Sequence, residues 1–203
     1  MDAFVIYLPG HDYSERVAER CVDTPEKNGG ISVTKWPGVQ QDIALAEMHL
    51  AGLRWTWGQQ NELGMQHHNY GGPVRNRIGC AMSHYKLWHL CEHLGEPILI
   101  LEHDSVFLRE FKPFEFRAVC QINDPKGATP HGDTWSRKMQ KRGPGVFPKT
   151  KIFGDERPDG LAGNSAYVIQ PQCVSHLIAL CHTYGLWAND AIMCRQLVHD
   201  MEE

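Results

Sequence analysis

The hydrophobic pattern divides the chain into alternating strands and helices. Phe4 to Leu8 is a continuous apolar run closed by Pro9-Gly10, and Tyr13 to Cys21 then mixes charged and small residues in a way that permits a helix. Ile31 to Trp36 reads as a second strand, Gln40 to Leu53 as a helix, and Trp55 to Gly72 as an irregular stretch rich in Gly, Asn and His. From Pro73 to Leu94 the residues Ile78, Ala81, Met82, Tyr85 and Trp88 form one apolar helical face, and Gly95 supplies the stop. Pro97 to Leu101 is aliphatic without alternation, the pattern of a central strand buried on both faces, and it ends at Glu102-His103-Asp104. Arg117 to Ile122 and Ser165 to Gln170 are further strand candidates. The second runs into Pro171 at a helix N1 position, with Val174, Leu177, Ile178 and Cys181 on one face behind it. Between them Gly127 to Gly163 is poor in aliphatic residues and long enough to read as a functional loop. The alternation predicts one α/β domain, a mainly parallel central sheet flanked by helices.

Composition narrows what such a domain can do. The 203 residues are 42% hydrophobic and 22% charged, which argues against disorder. A formal net charge of −4 offers no global positive field for nucleic acid or an anionic membrane. The longest aliphatic run, Ile98 to Leu101, is far short of the ~20 residues of a membrane span. Asp2 stands where a leader carries basic residues, and Ala3 to Leu8 is too short for a secretory apolar region. Seven scattered cysteines without C-x-x-C spacing predict reduced thiols, and with them a cytoplasmic location.

Three groupings carry candidate chemistry. Ligands of open α/β sheets bind outside the carboxyl ends of the strands, where Glu102 and Asp104 stand two residues apart. In an extended segment they share a face, and two converging carboxylates suit a hard cation, Mg²⁺ or Mn²⁺; the alternative is a solvated strand end. Arg137, Lys138, Lys141, Arg142, Lys149 and Lys151 form an acid-free basic run, read either as a mobile loop closing over a diphosphate or as solvated surface. His131-Gly-Asp133 with His176 or His182 copies the two-His, one-carboxylate set of non-haem iron oxygenases, against the α/β pattern.

Ile78-Gly-Cys-Ala-Met-Ser-His-Tyr-Lys-Leu-Trp88 followed by Ile98-Leu-Ile-Leu-Glu-His-Asp-Ser-Val106 resembles the Gly-Cys-x-x-Ser-His helix and Leu-Glu-Asp-Asp strand end of glycosyltransferase family 25. That family contains lipopolysaccharide glycosyltransferases and procollagen galactosyltransferases. Phe4-Val-Ile-Tyr-Leu8 with Arg16 and Arg20 behind it, Gly163-Asn-Ser-Ala-Tyr-Val-Ile169, and Asn189-Asp190 agree in order along the chain. His103 replaces the family's middle acid, while Glu102 and Asp104 keep the acid-x-acid spacing.

The resemblance implies a GT-A fold and an inverting, metal-dependent transfer of a hexose from a nucleotide-sugar, a UDP-sugar with galactose as the expected sugar. The acceptor is a glycan, lipopolysaccharide or protein hydroxyl. Residues 1–110 would form the donor half and 111–203 the acceptor side with a mobile loop at 127–163; little chain follows Asp190, so the acceptor site is expected to be small or shared. Mn²⁺ or Mg²⁺ would sit on Glu102 and Asp104, with Asp190 as the base. Arg16, Ser83, His84, Glu102, Gly163 and Asn164 are the donor-side candidates. Each has a structural alternative: Asp190 as a first-turn acid capped by Asn189, His84 as a core histidine, Arg16 as a solvated helix charge. Substitution at His103 also admits a catalytically inactive nucleotide-sugar or glycan binding protein.

Overall fold

The computed structural model describes residues 1–28, 30–56, 74–128, 131–152 and 159–203. Most of the expected irregular stretch from Trp55 onward lies outside the described residues. In chain order the elements are β1 (Asp2–Tyr7), α1 (Asp12–Asn28), β2 (Val33–Pro37), α2 (Ala44–Leu50), α3 (Val74–Leu94), β3 (Ile98–Glu102), β4 (Val119–Gln121), α4 (Gly132–Arg142), β5 (Ala166–Ile169), α5 (Pro171–Tyr184), α6 (Asn189–Ile192) and β6 (Met201–Glu202).

The strands form one sheet in the order β2-β1-β3-β5-β4-β6. β1 pairs in parallel with both β2 and β3, β5 pairs antiparallel with both β3 and β4, and β4 pairs in parallel with β6. The sheet is mostly parallel, as expected, but not purely so, because β5 runs against the other five strands.

Strand alternation sends successive side chains to opposite faces. Phe4, Ile6, Ile98, Ile100, Tyr167 and Ile169 pack beneath α2, α3 and α5 in one core. Ala3, Val5, Leu99, Leu101 and Val168 face the other way, onto Ala18 and Cys21 of α1. Phe107, Phe111, Phe114 and Phe116 cover the remainder of that second face, each ring meeting the next at 5.8 to 6.5 Å. Ile98 to Leu101 are all buried, because β3 is sandwiched between these two layers.

The five α3 residues predicted to form one face are all buried, and Gly95, at φ +67°, ends the helix by donating its N–H to the Cys91 carbonyl. α2 is shorter than the predicted 40–53. The segment 127–163 differs most, since it carries α4 rather than loop throughout. Its basic run is also tied down. Arg142, Lys149 and Thr150 all donate to the Glu203 carboxylate, and Lys149 lies 4.5 Å over the Trp135 ring. Two of the six charges offered for diphosphate closure thus share an internal carboxylate.

Candidate functional site

β1 sends its chain through α1 to β2 on one side, while β3 lies on its other side. The strand order therefore switches direction between β1 and β3, and the carboxyl ends there open onto a crevice, the usual ligand position in such sheets. A cavity of about 470 Å³ occupies that crevice. The strand ends Tyr7 and Glu102, the loops at Gly10 and Gln40, and Cys80 and His84 of α3 are among its walls.

The Gly-Cys-x-x-Ser-His helix builds one wall, and each residue has a separate task. A Cβ on Gly79 would stand 2.5 Å from the Val39 carbonyl oxygen, so glycine lets the β2–α2 loop lie against α3. Ser83 fixes that approach: its Oγ accepts the Val39 N–H at 2.8 Å and donates to the Gly79 carbonyl at 2.7 Å. Ser83 therefore shapes the cavity from a buried position. On the opposite wall the β1–α1 turn is held by Ser14 Oγ accepting the Leu8 N–H and Glu15 accepting the Gly10 N–H.

Glu102 continues the alternation of Ile98 and Ile100 toward α3. There its Oε1 lies 3.6 Å from His84 Nε2 and 3.9 Å from Cys80 Sγ. His84 is 1% exposed, with Nδ1 2.9 Å from the Tyr167 hydroxyl, which also accepts the Trp88 indole N–H at 3.0 Å. Tyr167 is a core residue that orients His84. Cys80 faces the cavity and the other six cysteines are buried. The thiol donates to Glu102 Oε1 and to Asn189 Oδ1, the latter at 3.5 Å.

Asp190 of α6 is near enough to Cys80 and Glu102 to act on both electrostatically, although it is not among the residues that line the cavity. Burial and the Glu102 charge push its carboxyl up to about 6, against the lowering pull of Arg77 and the N–H groups of Asp190 and Ala191. Asn189 does not cap α6 as expected; Ala188 is the N-cap, and the Asn189 amide turns toward Cys80.

The two acids of the strand end part company. The strand stops at Glu102, where the Ser105 N–H closes a turn onto the Glu102 carbonyl. Asp104 is exposed, stands apart from the cavity walls, and acts electrostatically on the Cys21 thiol beneath the opposite face of the sheet. The neighbours of Glu102 that can ligate are a thiol and an imidazole, whereas Mg²⁺ and Mn²⁺ favour oxygen ligands. This corner does not fit the hard-cation pair expected from the spacing.

His103 takes the inner place, lining the cavity with its ring 6.1 Å from that of Tyr13, and Arg16 lies 5.8 Å over the Tyr13 ring. These three form a cationic and aromatic rim at the start of α1. Gly163 and Asn164 lie away from the cavity walls. The close approach at Gly163 is to the Ala128 Cβ, and both amide atoms of buried Asn164 lack hydrogen-bond partners among the described residues. The oxygenase set is dispersed: His176 contacts the Leu197 carbonyl, His182 the Tyr85 hydroxyl, and Asp133 accepts the Gly127 N–H.

The sequence points to Ser83, His84, Glu102 and Asp190 but not to Cys80, which the structure brings beside His84 and Glu102. The available signal was its place one helical turn before His84, on the same helix face. No curated protein matches the chain. Residues 65–129, a stretch that includes α3, β3 and the His84–Glu102 contact, match the family model of glycosyltransferase family 25 (LPS biosynthesis protein), the family the sequence resembles.

Proposed function

We propose that the protein is a glycosyltransferase that binds a nucleotide-sugar in the crevice between β1 and β3 and transfers the sugar to an acceptor hydroxyl. The observation that carries this reading is the convergence of the family-matched segment on a cavity at the switch point of the sheet. In this reading the Arg16–Tyr13–His103 rim meets the base and diphosphate, since a guanidinium pairs with phosphate and stacks on rings. The β2–α2 loop held by Ser83 forms the facing wall.

Inversion at the anomeric carbon needs a base on the face opposite the leaving diphosphate. Asp190 is the candidate, a carboxylate whose proton affinity is raised toward the range that suits a general base. The acceptor hydroxyl would hand its proton to Asp190 as its oxygen bonds to the anomeric carbon, and the glycosyl–phosphate bond would break toward the rim. A UDP-sugar donor, galactose and a glycan, lipopolysaccharide or protein acceptor follow from the family resemblance.

The test is release of nucleoside diphosphate from UDP-, GDP- and CMP-linked sugars in the presence of candidate acceptors. Asp190→Asn is expected to slow release by about 10²- to 10⁴-fold while nucleotide binding persists. Binding without turnover by the unaltered protein would identify a binding protein instead, as the His103 substitution allows.

A further inference from the structure

We propose that Cys80, His84 and Glu102 form a zinc-binding site in the wall of the cavity. This site is separate from the acid-x-acid pairing of Glu102 with Asp104, and it requires no nucleotide. Among the described residues these three are a set of metal-capable side chains whose ligand atoms all lie within 4.8 Å of one another. Two elements bring them together: Cys80 and His84 are four residues apart on α3, and Glu102 is the final residue of β3.

The distances approach those of a tetrahedral ion. Zinc bonds of ~2.0–2.3 Å give ligand-to-ligand edges of roughly 3.3–3.6 Å. Two of the three edges are 3.6 Å from His84 to Glu102 and 3.9 Å from Cys80 to Glu102, and the Cys80–His84 edge is within 4.8 Å.

A second observation is independent of that spacing. Among the described residues His84 Nε2 is buried without a hydrogen-bond partner, although it points toward Glu102. A histidine carrying an idle ring nitrogen in so buried a place forfeits stabilisation, and a metal–nitrogen bond would recover it. The other ring nitrogen is already held. Zinc at Nε2 requires the tautomer with its proton on Nδ1, and the Tyr167 oxygen can accept that N–H on one lone pair and the Trp88 N–H on the other. An orienting partner behind a histidine is the usual outer-shell arrangement of metal sites.

The donor types select the ion. One sulfur, one imidazole and one carboxylate suit borderline-soft Zn²⁺ and discriminate against Mg²⁺ and Mn²⁺. On binding, Zn²⁺ replaces the Cys80 thiol proton, which passes to solvent; no electron is transferred. Three protein ligands leave a fourth position for water or substrate, as in zinc sites that do chemistry.

The site is tested by titrating the purified full chain with Co²⁺, a spectroscopic probe for Zn²⁺, and then with Zn²⁺, Mg²⁺ and Mn²⁺. The expected result is one Co²⁺ per chain with a thiolate-to-metal absorption band, displaced by stoichiometric Zn²⁺ and not by excess Mg²⁺ or Mn²⁺. Cys80→Ser should abolish the band, and Glu102→Gln should weaken affinity by at least ~100-fold, beyond the loss of an outer-shell partner. Tyr167→Phe should weaken it by about 10-fold without removing the band.

A measurement on the unaltered protein guards against variants that fail to fold. Zn²⁺ should block maleimide labelling of Cys80, the cysteine that faces the cavity, as read by peptide mass spectrometry. Absence of the band, its persistence in Cys80→Ser, or unchanged labelling with Zn²⁺ would each overturn the site. None of these readouts involves a nucleotide or sugar, so the zinc site and the transferase reading fail separately.

Discussion

At the scale of single residues, the helix motif acts mainly through backbone approach. Gly79 is needed because the Val39 carbonyl occupies the space of its Cβ, and Ser83 stitches the same two segments together. Gly79→Ala should force α3 away from the β2–α2 loop and cost about 1–3 kcal/mol, as an overpacked core does. Ser83→Ala leaves the Val39 N–H without that partner and should cost about 1–3 kcal/mol. Denaturant melts measure both, and wild-type midpoints would show that the contact is unimportant. The sequence makes Ser83 and His84 visible as members of a motif but not their partners, because Val39 and Tyr167 lie 44 and 83 residues away. Asp104 parts from Glu102 for a related reason: the two-residue period that would put them side by side holds only while the strand continues, and the turn at Ser105 ends it.

At the scale of elements, α3 and β3 were legible and the sheet's far edge was not. A 21-residue helix with one buried face and an unbroken aliphatic strand leave strong periodic signals. β6 has two residues and no period to read; it is fixed by pairing with β4 and by charges on neighbouring segments. Glu202 accepts the Arg117 N–H, and Glu203 gathers Arg142, Lys149 and Thr150. The same interactions explain why the basic run is not a free loop.

Burial alone would push the Glu203 carboxyl up, but the charge and hydrogen bond of Lys149, the Thr150 hydroxyl and the Arg142 charge together hold it below its ordinary range. The Lys149 ammonium is lowered by its own burial in spite of that partner. Since the folded value of Glu203 lies below the unfolded one, its contribution to stability is present above the unfolded value and fades as pH falls through the folded one. Glu203→Gln should therefore destabilise the protein at pH 7 by about 3–5 kcal/mol, the cost of stranding a buried cation. The penalty should shrink in acid, as followed by melting temperature against pH. An equal penalty at pH 7 and pH 3 would contradict this account.

At the scale of the whole molecule, the α/β class and the position of the crevice follow from alternating strands and helices, while the handedness of each pairing does not. Nothing in Ser165 to Gln170 announces that β5 runs against its neighbours, because a strand buried on both faces reads the same in either direction. No helix among the described residues is long and apolar enough to cross a membrane. The central claim is that the crevice between β1 and β3 holds a nucleotide. It is tested most directly by calorimetric titration of UDP, GDP and CMP into the unaltered protein and into Asn76→Trp, which places a bulky ring at an exposed position of the cavity wall. One nucleotide should bind per chain, and the substitution should abolish binding without lowering the melting temperature. Equal binding by both proteins, or no binding of any of the three by the unaltered chain, would contradict the account.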